Sequence, residues 1–180
     1  KGLFMSSSAQ KSAANIPLQS KARPSKVNNG LSDRYRKEMA ATLTDILAGT
    51  YRLTIKSHIY HWNVTGPLFI PLHELTEQHY NALFAAADVI AERIRALGHL
   101  APVKVSDVAG FAPRSGSAEN ETAEIMVEDL ISDHEAATRT MRNAFAGAEE
   151  GKDAVTADML TEYMAFHEKA TWMLRATVSG

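Results

Sequence analysis

The chain of 180 residues contains no cysteine. That excludes disulfide bonds and thiolate metal ligands, and it is compatible with a reducing compartment. It has no run of about 18 apolar residues, the length that a membrane-spanning helix needs. The opening, KGLFMSSSAQ, lacks the apolar stretch of a signal peptide. Met5 is a candidate first residue of the natural chain, with Lys1 to Phe4 as an added leader. There is no nucleophile elbow, no glycine-rich phosphate loop and no HExxH, which removes the commonest hydrolase and nucleotide-binding chemistries. Glu-x-x-His is missing too, the motif that builds carboxylate-bridged metal sites inside four-helix bundles. Its absence agrees with a metal site that lies outside a bundle core.

The net charge of −2 conceals two opposite parts. Residues 1–31 hold Lys1, Lys11, Lys21, Arg23 and Lys26 and no acid, giving +5, whereas the remainder holds 14 basic and 21 acidic residues, giving −7. The first part is rich in Ser, Ala, Asn and Pro without periodicity and reads as a flexible basic tail. Lys11, Lys21, Arg23 and Lys26 are its candidate contacts to nucleic-acid phosphates, non-specific and driven by counterion release. Residues 32–180 read as one globular domain of ordinary size.

That domain is organised by the segment from His58 to Gly98. A first helix, capped by Ser32, runs to about Asn63 and brings His58 and His61 to its end, one turn apart. Gly66-Pro67 makes a turn, and a second helix enters near Pro71, which fits a first helical turn. Gly98 ends it. Leu72, Leu75, His79, Leu83, Ala86, Ile90, Ile94 and Leu97 line one side of this helix as its core seam. His73, Glu77, Asp88 and Glu92 fall on the far side, together with Tyr80, Phe84 and Ala91.

His73 and Glu77 are one turn apart and can share a metal, and Asp88 and Glu92 repeat the spacing. Fifteen residues separate the pairs, about 22 Å at 1.5 Å per residue, against metal–ligand bonds of about 2.0–2.6 Å. One chain therefore cannot close the site. Two copies crossing antiparallel about a two-fold axis bring the pairs together, making two equivalent intersubunit sites. His61 joins through the short turn, and Trp62 packs beside it with its indole N–H seeking an acceptor.

Beyond Gly98, a polar link over residues 99–120 is long enough to cross a bundle and to hold a short helix at Ser106–Phe111, capped by Ser106. A third helix starts at Glu119–Thr122 and runs to about Ala148, and a fourth spans about Ala154 to Val178. Their inward stripes are Val127, Leu130, Ile131, His134, Thr138, Met141 and Phe145, then Met159, Tyr163, Phe166, Ala170, Met173, Leu174 and Thr177. His79, His99, His134 and His167 read as packing or surface residues. Glu149, Glu150, Asp153 and Asp158 cluster at the last turn, either as helix-start charge or as acids that draw cations toward a symmetry axis. The fold class is all-α: a ferritin-like four-helix bundle with a short extra helix in the long connection between helices two and three.

HWNVTGPLFIPLHELTEQHY followed by DVIAERIRALG strongly resembles the Dps family, the miniferritins that take their name from DNA-binding proteins of starved cells. The likeness covers about residues 32–178. It implies a hollow shell of twelve subunits, assembled from two-fold dimers in the bacterial cytoplasm in association with the nucleoid. Such a shell oxidises Fe(II), preferably with hydrogen peroxide, stores the ferric mineral and protects DNA. By the resemblance, His61, His73 and Glu77 of one subunit and Asp88 and Glu92 of its partner hold two irons per intersubunit site, with Trp62 alongside. Asp88, Glu92 and the partner's His61 take the first iron. The acids near 149–158 match the family's three-fold pores, Asp158 best. The family pattern reads LHELFDEQY where this chain has LHELTEQHY, so Glu77 stands where Asp is common. That departure leaves an alternative, a shell acting chiefly on the nucleoid through its basic tails, with a weakened metal site.

Overall fold

The computed structural model describes residues 21–179. The expectations for Lys11 and the rest of residues 1–20 lie outside the described residues. Four long helices carry the fold: α1 (Asp33–Asn63), α2 (Phe69–Ala96), α3 (Ala123–Glu150) and α4 (Ala154–Val178). A 3₁₀ helix at Val105–Phe111 interrupts the link between α2 and α3.

The helix ends follow local chemistry. Ser32 Oγ accepts the Tyr35 amide at 3.2 Å, and Thr122 Oγ1 accepts that of Ile125 at 3.4 Å, each satisfying an orphan N–H of the first turn. α2 starts two residues before Pro71, which places the proline in the first turn as its missing N–H requires. Gly98, at φ +91°, closes α2. Ser106 is not the cap of the 3₁₀ helix. The Asp107 carboxylate instead accepts the amides of Val103 and Lys104, at 3.1 and 3.0 Å, because an ionised acceptor outcompetes a hydroxyl.

α1 packs along α2 and α3 along α4, and α1 also lies against α3. One apolar cluster unites Met39, Leu43 and Leu47 of α1 with Ile90 and Ile94 of α2, Met141 of α3 and Leu160 of α4. A second joins Leu53 and Tyr60 of α1, Leu72 and Leu83 of α2, Val127 and Leu130 of α3 and Leu174 of α4. These groupings put the C-terminal ends of α2 and α3 at the same end of the bundle, so the link between them must span its length. Tyr51 stacks on Phe111 at 4.5 Å and Arg52 donates to the Gly110 carbonyl at 2.6 Å, which fastens that link to α1. Farther along, a Cβ at Gly116 would lie 2.8 Å from the Tyr60 hydroxyl, so the link can settle onto α1 only with glycine there.

Between the two apolar clusters lies a polar layer. His134 and His167 meet there, Nδ1 to Nδ1 at 2.8 Å, and His79 sets its ring edge-on to His134 at 5.3 Å. All three are buried, at 3 % exposure or less. They are the packing histidines of the bundle, and His99 is half-buried beyond the end of α2.

Candidate metal centre

The site starts at the α1–α2 turn. Gly66, at φ +85°, turns the chain, and the Phe69 amide donates to its carbonyl at 3.0 Å. The turn sets the end of α1 beside the start of α2 and stacks the rings of His61 and His73 at 3.7 Å between centroids. Their hydrogen bonds are reciprocal. His61 Nδ1 bonds the carbonyl of His73 at 2.8 Å, and His73 Nδ1 bonds the carbonyl of His61 at 2.9 Å. A carbonyl can only accept, so both Nδ1 atoms carry hydrogen and each ring keeps its Nε2 lone pair free. Orientation of a ligating imidazole through its other nitrogen is how proteins prepare a metal ligand. Thr76 lies under the pair, donating to the Leu72 carbonyl at 2.6 Å with its oxygen 3.5 Å from His61 Nδ1.

Glu77 projects into solvent one turn beyond His73, and the Tyr80 hydroxyl donates to it at 3.4 Å. Burial first, and then Glu77, raises the Tyr80 phenol above its usual range. His58 packs against Tyr80 at 3.8 Å with the rings tilted by 35°, and it stacks on Trp62 at 5.2 Å. Burial and the neighbouring His61 hold its imidazole below the usual range. Trp62 is 66 % exposed and has no acceptor among the described residues. The sequence placed His58 one turn from His61 and Tyr80 on the face of His73 and Glu77, but it gave none of the three, His58, Tyr80 or Thr76, a part in the site. Their one-turn spacing from His61, His73 and Glu77 was the signal available.

Asp88 and Glu92 lie three turns farther along α2, exposed and without an ion pair or hydrogen bond among the described residues. Phe84 and Val89 beside them, and Phe69 and Ile70 at the helix start, are exposed as well. One face of α2 thus carries two carboxylate groupings set among bare apolar side chains. Among the described residues, no three His, Asp or Glu side chains of a single chain stand close enough to hold a metal. The structure brings His61 and His73 together, sets Glu77 one helical turn beyond them in solvent, and leaves Asp88 and Glu92 apart.

The four acids at the α3–α4 turn divide. Glu149, Glu150 and Asp158 face solvent. Asp153 is buried, held by Arg93 at 2.7 and 2.8 Å, by the Tyr35 hydroxyl at 3.0 Å and by the amide and hydroxyl of Thr156 at 3.0 and 2.6 Å. Burial opposes ionisation of this carboxyl, yet Arg93 and Thr156 hold it below the ordinary carboxylate range. Asp153 is therefore a clasp between α1, α2 and α4, set apart from the three solvent-facing acids. Lys21, Arg23 and Lys26 are exposed on the segment that leads into α1.

The profile of the ferritin-like domain matches residues 40–179. An uncharacterised low temperature-induced protein of Nostoc is 38% identical over 160 residues, 86% of this chain and 88% of that protein. DNA protection during starvation protein 2 of Bacillus anthracis is 34% identical over 140 residues, 78% of this chain and 96% of that protein. Among solved structures, the Dps protein of Vibrio cholerae is described as a member of a broad superfamily of ferritin-like diiron-carboxylate proteins. It superposes with a TM-score of 0.76 at 25% identity, covering 87% of this chain and 98% of its own. With the bundle, its crossover and the paired blocks on α1 and α2 all in agreement, this chain belongs to the Dps family of ferritin-like proteins.

Proposed function

We propose that this protein stores iron and protects DNA, oxidising Fe(II) with hydrogen peroxide at sites shared by two copies of the chain. The observation that carries the reading is the exposed face of α2, where His73 and Glu77 lie about 22 Å from Asp88 and Glu92 among uncovered apolar side chains. Bare phenylalanine, isoleucine and valine beside unpaired carboxylates mark a surface that a second copy covers. Crossing antiparallel, each copy supplies His61, His73 and Glu77 to one site and Asp88 and Glu92 to the other.

Imidazole and carboxylate donors suit Fe(II), and five such ligands for two ions leave positions for oxidant and water. Iron is substrate and cargo here. Two ferrous ions give up one electron each, the peroxide O–O bond takes both, and its oxygens leave as hydroxide or water. No hydroxyl radical is released, because neither electron is delivered singly. Hydrolysis of the ferric product then releases protons, which the surrounding carboxylates can take. Glu149, Glu150 and Asp158 are the candidates for drawing ferrous ions into a shell of twelve subunits, and the basic N-terminal segment is the candidate contact to DNA.

A complementation experiment tests the shared site. A His61→Ala/His73→Ala chain and an Asp88→Ala/Glu92→Ala chain are each expected to lose rapid peroxide-driven Fe(II) oxidation. Co-assembled, each mixed dimer regains one site with every ligand intact, and rapid oxidation returns. Anaerobic Fe(II) loading, then peroxide addition, with ferric absorbance and particle mass recorded, reads the outcome. Failure of the mixture to recover at unchanged particle mass would refute the shared site.

A further inference from the structure

The link between α2 and α3 leaves a hollow where it crosses α1 and α3. This is an open cavity of about 280 Å³, at the small end of the range for small-molecule sites, and residues 113–115 form one wall of it. Both ends of that wall are anchored. On one side Arg52 donates to the Gly110 carbonyl at 2.6 Å and Phe111 stacks on Tyr51. On the other, Gly116 packs so tightly that a Cβ there would lie 2.8 to 3.0 Å from atoms of Tyr60, Asp129 and Lys56. Between these anchors Pro113 has its φ fixed by its own ring. The cavity is therefore preformed.

Its lining divides by chemistry. Ile46 and Leu53 of α1 and Met141 of α3 are buried apolar side chains that give it a floor. Arg52 and Lys56 of α1 and Arg114 of the link bring three cations to it. Lys56 is already committed, its ammonium 2.8 Å from Asp129 and 2.6 Å from Asp133. Burial opposes its charge, yet those two carboxylates raise the group above its usual range. Arg52 and Arg114 have no carboxylate partner among the described residues. Arg52 gives one N–H to Gly110 and keeps most of its five donors. Its Nη2 lies 3.6 Å from the point that a Cβ on Gly49 would occupy, so the guanidinium rests over a part of α1 that carries no side chain. Asp45 lines the cavity two turns before Arg52, also without an ion pair among the described residues. Its charge disfavours a second negative group on anything bound there.

We propose that this cavity binds a small organic acid, with a single carboxylate shared by Arg52 and Arg114 and a compact apolar body over Ile46, Leu53 and Met141. Guanidinium groups match carboxylates through paired, charge-assisted hydrogen bonds. Inorganic phosphate offers the charge without the body and leaves the floor in water. A bound acid touches α1, α3 and the link together, so it favours the folded crossover by mass action. The site lies away from the α1–α2 turn and asks nothing of the iron chemistry.

The test titrates the assembled protein with benzoate, inorganic phosphate and benzamidine by calorimetry at fixed ionic strength. Benzoate is expected to bind once per chain, more tightly than phosphate, and to raise the thermal unfolding temperature. Arg114→Gln, on the exposed link, should weaken benzoate about tenfold through the loss of a charge-assisted hydrogen bond. Ala137→Phe places a ring in the cavity and should abolish binding. Both variants should keep the particle mass and the rate of peroxide-driven iron oxidation of wild type. No binding of benzoate by wild type at tens of millimolar overturns the proposal, and so does equal affinity in wild type and Arg114→Gln. Phosphate binding more tightly than benzoate refutes the role of the apolar floor. Preference for benzamidine refutes the assigned charge and gives the cavity to Asp45.

Discussion

Acid should weaken this bundle from the middle. His79, His134 and His167 come from three different helices and are buried with no carboxylate acting on them; only burial and one another shape their titration. Burial lowers His79 and His167 to about 4, and it lowers His134 well below the usual 6.5. The folded protein thus refuses protons that the unfolded chain accepts below 6.5. The stability from these groups is complete above that pH and is lost as the pH falls from 6.5 toward about 4. A fall from 6.5 to about 4 corresponds to about 3 kcal/mol for each of His79 and His167, a large part of a typical domain's ~5–15 kcal/mol.

His79→Leu isolates the effect, because His79 Nδ1 has no hydrogen-bond partner among the described residues and its loss breaks no bond there. At pH 7 the variant should be at least as stable as wild type. Between pH 7 and pH 4 it should lose about 3 kcal/mol less. Denaturant unfolding at a series of pH values, with light scattering on the same samples to separate dissociation from unfolding, measures both quantities. Equal losses in wild type and variant would refute the assignment of acid sensitivity to the histidine layer.

Further substitutions probe the supports of the site. Gly151→Ala places a Cβ 2.1 Å from the Tyr35 ring, which Asp153 holds in place. Overpacking of that kind should cost about 1–3 kcal/mol in thermal unfolding. Asp153→Ala leaves the half-buried Arg93 with Thr156 but without its carboxylate and should cost about 3 kcal/mol. The carboxyl of Asp153 is held below 3.8, so its contribution persists above that value and fades as the pH falls through its lowered range, under the histidine window. Gly66→Ala strains a backbone at φ +85° and should slow iron oxidation more than its cost of about 1 kcal/mol suggests, read from initial rates at matched folded fraction.

Periodicity made the α2 seam legible in the sequence: all eight residues from Leu72 to Leu97 assigned to it are buried. Helical spacing likewise placed Glu77, Asp88 and Glu92 on an exposed face. What stayed hidden depended on partners distant along the chain. Asp153 read as one of four clustered acids, because its partner Arg93 lies 60 residues away. His134 and His167 sat on or beside predicted stripes, but nothing local announced that they would meet each other and His79. Trp62 was expected to pack beside His61 with its indole N–H seeking an acceptor; it stacks on His58, one turn away, and stays largely exposed.

The peptide backbone orients the two imidazoles at the α1–α2 turn. Every amino acid brings a carbonyl, so no exchange of a neighbouring side chain can delete the acceptors that hold His61 and His73. Genetic drift around the turn is therefore buffered, and the fragile point shifts to whatever keeps the helices in register, the left-handed Gly66 above all.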